Sequence, residues 1–373
     1  MGLCCHWQKD TDIQQSLNAL TQEPSQSIQL TLIDEGIETN TYQGQFNNQI
    51  QGQVAQFTGN IERDWWLSSF TALSRNIRDN GVSLPDRDNE SLIEASGSDN
   101  SSNQHLFRFA LTKGAQTGNL LHDILEKLSF MHPDWSKSME WPLVKYGELP
   151  QGYTAKDLEA WLQQVLETPL EDFSLSSIGI DHCLKEVEFY FPLNESSTKE
   201  LTELVINHRK NSPYGALLNH GINLPNFSTL KGMMHGFIDL VFEQQGKFYI
   251  CDYKSNHLGS NYPDYDGKLL QQDIVKHHYD LQYLIYALAL HRYLKVTLED
   301  YQPERDFGGV YYLYLRGMSD EKQHKGCGVF YRNILNTELA QLDAIFSGER
   351  FADFSVNNQL NVQLDVKQGD DNE

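Results

Sequence analysis

Positive charge is scarce in this chain. It carries 29 lysines and arginines against 51 aspartates and glutamates, a formal net charge of −22. That balance argues against a protein that coats nucleic acid by neutralising phosphates, whose grip depends on many basic side chains. It leaves room for an enzyme that holds nucleic acid at one local site, with a partner or bound cations supplying positive charge; otherwise the acidity serves solubility alone. Cysteine is also sparse: Cys4, Cys5, Cys183, Cys251 and Cys327 are scattered and odd in number. No disulfide framework follows from them, and free thiols in a reducing compartment do. Long apolar runs are missing. The best, YLIYALAL at 283–290, falls short of the roughly 18 residues a membrane span needs. The opening MGLCCHWQKD has no signal-peptide pattern. A cytoplasmic protein without membrane association is the expectation.

What remains is a globular composition, 39% hydrophobic over 373 residues, enough for one large or two ordinary domains. The first 62 residues hold one basic residue, Lys9, and twelve glutamines. Short alternating stretches such as SIQLTLI (27–33) predict a small, partly ordered β-containing segment there. FTGNIERDWWLSSFTALSRNIR (57–78) is better organised, and its pair Trp65 and Trp66 reads either as core or as an anchor on a partner. The polar stretch 79–105 is a linker or surface loop. Residues 1–105 therefore form an N-terminal segment, 106–350 the domain that carries chemistry, and 351–373 an acidic tail. No internal repeat is present. Within 106–350, Leu121, Ile124, Leu125 and Leu128 recur at helical spacing, and DLEAWLQQVLE (157–167) predicts a second helix. CLKEVEFYFPL (183–193) alternates like a strand, as does the glycine-bounded GGVYYLYLRG (308–317). YDLQYLIYALALHRYL (279–294) is a long amphipathic helix. Helices and strands in this order predict an α/β arrangement around a mixed sheet.

The stretch GFIDLVFEQQGKFYICDYKSN (236–256) sets a problem. With Gln245-Gly246 as a two-residue hairpin loop, Glu243 opposes Phe248, Val241 opposes Ile250, and Asp239 opposes Asp252. Strand alternation then puts Phe237, Asp239, Val241, Ile250, Asp252 and Lys254 on one face, and Ile238, Leu240, Phe242, Tyr249, Cys251 and Tyr253 on the other. Both faces are largely apolar, so the hairpin belongs in the interior. Two opposed carboxylates there repel, and burying either alone is costly. A salt bridge to Lys254 accounts for one acid and leaves the other over. A divalent cation accounts for both, and Mg²⁺ is commonly held by one or two carboxylates with waters and phosphate oxygens. Metal-assisted phosphoryl chemistry, with Lys254 left to meet water or phosphate, is therefore the favoured reading.

Asp-x12-Asp-x-Lys across a hairpin is the motif of the PD-(D/E)xK nucleases, here with Ile238 where a proline commonly precedes the first acid. Further stretches narrow the likeness. GAQTGNLLHDILEKL (114–128) places His122 in a helix after a glycine turn. KEVEFYFPL (185–193) puts Glu186 and Glu188 on one face, so that alternation does not choose between them. HHYDLQYLIYALALHRYL (277–294) puts Gln282 and Tyr286 one turn apart, with Tyr279 and Tyr283 beside them. With DYKSNHLG (252–259) and FGGVYYLYLRG (307–317), residues 106–350 resemble the C-terminal nuclease domain of the RecB family, the beta subunit of exodeoxyribonuclease V. The segment FTGNIERDWWLSSFTALSR more faintly resembles the join between helicase body and nuclease.

The resemblance implies a restriction-endonuclease-like core, a mixed central sheet flanked by helices. It implies that His122, Asp239 and Asp252 bind Mg²⁺, with Mn²⁺ as a substitute, and that the Tyr253 carbonyl completes the protein ligands. It favours Glu186 as the additional acidic residue, makes Lys254 the group that positions water and stabilises phosphate charge, and sets Gln282 and Tyr286, with Tyr283, near the substrate strand. The implied reaction is in-line attack of water on a DNA phosphodiester, assisted by the metal. Implied partners are DNA, expected to be single-stranded, RecC-like and RecD-like subunits, and RecA, in double-strand break repair and recombination. Two departures matter. No G-x-x-x-x-G-K-[ST] occurs, because the Gly-Lys pairs at 246–247 and 267–268 are followed by Phe and Leu; this chain is expected to have no ATP site and no helicase activity of its own. Four suitably placed cysteines are lacking too, so no iron–sulfur cluster is expected. The rival readings are a non-catalytic docking module for the same partners and a stand-alone Cas4-like exonuclease.

Overall fold

The computed structural model describes residues 66–69, 106–147, 149–218, 221–222, 224 and 230–348. All of them lie in one compact unit, Glu62–Glu373. The alternating stretch 27–33, Trp65, the linker 79–105 and the acidic tail fall outside the described residues.

The hairpin forms around the turn read from the sequence. Gln245 and Gly246 both take positive φ, 53° and 77°, as a two-residue loop needs when its twist matches that of the strands. The strands on either side are β3 (Leu230–Gln244) and β4 (Lys247–Lys254). They pair antiparallel from Gln244↔Lys247 to Leu240↔Cys251. Strand β2 (Cys183–Ser196) pairs antiparallel with β3, and the short β1 (Trp66–Ser68) pairs parallel with it at Gly232–Met234. On the far side, β5 (Phe307–Tyr314) runs parallel to β4, and β6 (Val329–Arg332) antiparallel to β5. Among the described residues the result is a six-stranded mixed sheet in the order β1-β3-β4-β5-β6, with β2 also on β3.

Among the described residues seven longer helices cover the sheet: α1 (Ala115–Lys127), α2 (Trp135–Tyr146), α3 (Ala155–Glu167), α4 (Thr198–Lys210), α5 (Gly267–His277), α6 (Tyr279–Thr297) and α7 (Asn336–Ser347). Helix α1 exists because Leu121, Ile124, Leu125 and the following Leu128 bury one stripe, each at most 1% exposed. In α3 the same logic buries Leu158, Trp161, Leu162 and Val165, and the Thr154 amide donates to Asp157 Oδ2 at 2.7 Å to start the helix. Helices α1–α3 pack with Leu240, Phe242, Cys251, Tyr253, Tyr311 and Leu313 on one side of the sheet. Helices α4–α7 pack with Ile238, Val241, Ile250, Val310, Tyr312 and Tyr314 on the other. This three-layer α/β/α arrangement joins the parallel pair β4 and β5 through α5 and α6, the long crossover such a pair requires. Among the described residues no helix is long and apolar enough to cross a membrane.

These two cores revise the expected strand faces. Ile238 shares a core with Val241 and Ile250, although strict alternation puts it with Leu240 and Phe242. Alternation slips at Asp239, and the facing residue of β2, Glu186, has a φ of 48°. A non-glycine residue seldom takes that conformation, and in a strand it reverses the side-chain order. Both strands therefore turn over at the same level while their register continues, from Lys185↔Leu240 to Val187↔Ile238.

A buried polar chain ties α4, α6 and α7 together. His208 Nδ1 lies 2.6 Å from Glu338 Oε1, and its Nε2 lies 2.6 Å from the Tyr283 hydroxyl. Burial alone would raise the Glu338 pKa, but the hydrogen bond to His208 holds it below the ordinary glutamate value. A carboxyl depressed in the folded state adds stability above its unfolded pKa and loses it as pH falls through the folded value. Thermal midpoints of the unvaried chain and of Glu338→Gln should therefore converge on acidification below the ordinary glutamate range, and a constant gap would contradict this.

Candidate active site

The slip in β2 and β3 builds the site. Because the β3–β4 ladder ends at Leu240↔Cys251, Asp239 and Asp252 do not form a backbone-paired couple. The Tyr253 amide donates instead to Asp239 Oδ2 at 2.8 Å. A side chain thus takes the place of the next ladder bond where the acids lie.

His122 projects from α1 toward these residues and is 5% exposed. Its Nδ1 lies 3.4 Å from Asp239 Oδ1, and its Nε2 lies 3.0 Å from the Tyr253 carbonyl oxygen. Glu186 arrives from β2 through its unusual backbone angle. One potential ligand atom from each of His122, Glu186 and Asp239 falls within 4.8 Å of the others. Imidazole, two carboxylates and a nearby carbonyl are donors that suit a divalent cation of the Mg²⁺ or Mn²⁺ kind, so the residues fit the ion the sequence implied.

Asp252 and Lys254 are both buried. They pair at 2.7 Å between Asp252 Oδ1 and Lys254 Nζ, on the α6 side of the metal-ligand group. The structure thus contains the salt bridge weighed from the sequence and, beside it, a set of metal donors built on the other acid. Tyr279 presents its ring face 4.2 Å from Lys254 Nζ, and Gln282 Oε1 lies 3.5 Å from it. Gln282 in turn donates from Nε2 to the Tyr286 hydroxyl at 3.0 Å and accepts from the Tyr312 hydroxyl at 2.8 Å. Burial, reinforced by the Asp252 charge, pushes the Tyr312 phenol well above its ordinary pKa, so it stays a donor.

Of the residues singled out in the sequence, His122, Glu186, Asp239, Asp252, Tyr253, Lys254, Gln282 and Tyr286 meet in one place. Tyr283 does not join them, since its hydroxyl meets His208. Tyr283→Phe is expected to cost about 1 kcal/mol of stability, the worth of one hydrogen bond, and to change cleavage less than Gln282→Ala. Glu188 also separates from Glu186: it is exposed and bonds Tyr190 and His235. Sequence reasoning gave no role to Tyr312, or to Asp273, which accepts from Asn256 Nδ2 and the Tyr314 hydroxyl, both at 3.0 Å. The alternation in GGVYYLYLRG puts Tyr312 and Tyr314 on one face. The parallel register that sets Tyr312 beside Asp252 and Tyr314 beside Lys254 has no local signal.

The profile of the PD-(D/E)XK nuclease superfamily matches residues 102–352. RecBCD enzyme subunit RecB of Haemophilus influenzae is 35% identical over 311 residues, 79% of this chain and 24% of that protein. The RecB subunit of Escherichia coli is 35% identical over 241 residues, 63% of this chain and 19% of its own length. For the RecB subunit of Mycobacterium tuberculosis the figures are 32% over 232 residues, 56% and 21%. This chain spans about a quarter or less of these relatives.

Proposed function

The chain belongs to the PD-(D/E)XK nuclease superfamily, and on that premise we propose that it hydrolyses DNA phosphodiester bonds with a bound divalent cation, Mg²⁺ in the first instance. The observation that carries this reading is the approach of His122, Glu186 and Asp239 to one another beside the buried Asp252–Lys254 pair. A cation bound there supplies charge stabilisation at the phosphoryl oxygen and lowers the pKa of an attacking water. His122 and Asp239, with the Tyr253 carbonyl, would hold it, and Asp252, which lies outside the His122–Glu186–Asp239 group in its pair with Lys254, would be the further ligand. Glu186 adds the further carboxylate. Lys254, fixed by Asp252, Gln282 and the Tyr279 ring, orients water and meets phosphate charge. Gln282 and Tyr286 hold the strand near that ammonium. In a larger assembly this chain serves as the nuclease of a RecBCD-type complex, with RecC-like and RecD-like subunits and RecA as partners.

The metal reading has a test that needs no catalysis. Saturating Mg²⁺ or Mn²⁺ should raise the thermal midpoint, because a ligand at a hundred times its Kd adds about 2.7 kcal/mol. Asp239→Asn should remove most of that rise. An equal rise in both proteins would place the cation elsewhere.

A further inference from the structure

Beyond the metal-ligand group, β2 and β3 carry a set of aromatic rings that the proposed chemistry does not use. Tyr190 and His235 are cross-strand partners. Their rings stack 14° from parallel with centroids 4.3 Å apart. Phe237 meets the edge of His235 at 5.2 Å. Tyr190 is 54% exposed and Phe237 39%, so two large rings face water. The intervening residues Phe189, Phe191, Met234 and Ile238 pack into the core on the other side. Glu188 fixes the set, accepting from the Tyr190 hydroxyl at 2.7 Å and from His235 Nε2 at 3.0 Å.

Position gives this surface its meaning. Phe237 stands two residues before Asp239, and His235 four, while Glu188 stands two residues after Glu186. At the usual strand rise the steps are about 6.6 Å and 13 Å, so the rings form a short line that ends at the metal-ligand group. We propose that Phe237, His235 and Tyr190 are a stacking track on which bases of a single-stranded polynucleotide lie as the strand enters the active site.

The chemistry favours bases over other occupants. A chain of net charge −22 gains little from phosphate attraction, whereas stacking on aromatic faces is independent of charge and tolerates any base. The rings are held by Glu188 and by each other, so little side-chain freedom is lost when a base lands. The exposed Glu188 carboxylate disfavours phosphate at the same spot and turns the backbone outward. Exposed cross-strand aromatic pairs also stabilise sheets by themselves, so the test must separate stacking from folding.

The track rests on the nuclease reading, and its test is equilibrium binding of the full chain in EDTA at low ionic strength, where no cutting is needed. The probes are a labelled oligothymidylate and an oligonucleotide of equal length with abasic sites throughout. Phe237→Leu and Tyr190→Leu should each weaken oligothymidylate binding between about fivefold and a hundredfold, the worth of one base–aromatic stack. Neither should further weaken binding of the abasic strand, and Phe237→Tyr should restore affinity. Unaltered thermal midpoints verify the fold of each variant. Equal affinities across all proteins, equal losses on both probes, or no binding by the unvaried chain would overturn the track. A chain that binds through these rings but never cuts would keep the track and remove the nuclease.

Discussion

Lys254→Ala is expected to lower DNA cleavage by about two to three orders of magnitude, the usual cost of removing one preorganised group that meets transition-state charge. Asp252→Ala should fall at least as far, because it removes both a proposed metal ligand and the carboxylate that fixes Lys254 at 2.7 Å. The double variant should lose little more than the worse single one, since residues acting as one unit are not additive. Each single variant leaves one charge buried without its main counter-charge, a situation that can cost about 3–5 kcal/mol. Circular dichroism and a thermal midpoint for all three proteins separate lost chemistry from lost fold, with the double variant recovering stability but not cleavage. Single-turnover rates within threefold of the unvaried chain for either replacement would end the mechanism.

Arg316→Met should give the largest loss of stability. Arg316 is fully buried. It donates from Nε to the Ser255 carbonyl at 2.7 Å, from Nη1 to those of Arg108 and Leu111 at 2.8 and 3.0 Å, and from Nη2 to that of Thr112 at 2.9 Å. Ser255 directly follows Lys254, and Thr112 leads into α1, which carries His122. One guanidinium therefore joins the two sides of the active site. Its loss strands three carbonyls, since that of Thr112 keeps the Thr117 hydroxyl at 2.8 Å, and buried polar groups left unsatisfied cost about 1–3 kcal/mol each before relaxation. A net loss of about 3–5 kcal/mol and a midpoint lower by about 4–6 °C are expected at this chain length. Arg316→Lys should not rescue, because an ammonium lacks the planar fork that reaches four acceptors. A midpoint shift under 3 °C in the methionine variant would contradict this role.

Much of the fold was legible where local rules act alone. The Gln245-Gly246 turn fixed the hairpin register up to Leu240↔Cys251, and helical spacing marked α1, α3 and α6. Helices α2, α4, α5 and α7 have no comparable mark in the sequence: Pro142 sits inside α2, and α4 is too polar on average to stand out from its surroundings. The site residues were legible as a motif, but their arrangement was not. Strand alternation predicts Asp239 opposite Asp252 on one unbroken face. The positive φ of Glu186 and the Asp239 carboxylate in the ladder break that face, and neither has a signature in residue type. Tyr283 shows the converse difficulty. Its helical position adjoins Gln282, yet only the placement of His208 on α4, about 75 residues away in sequence, decides that it serves the core.

The most direct test of the central claim is cleavage of end-labelled single-stranded DNA, linear and circular, by the purified chain in Mg²⁺, in EDTA, and with Asp252→Ala. Cutting should require Mg²⁺ and be lost in the variant, with the circular substrate showing whether an end is needed. Cutting that persists in EDTA or in Asp252→Ala, or no cutting by a well-folded chain in Mg²⁺, would contradict the claim.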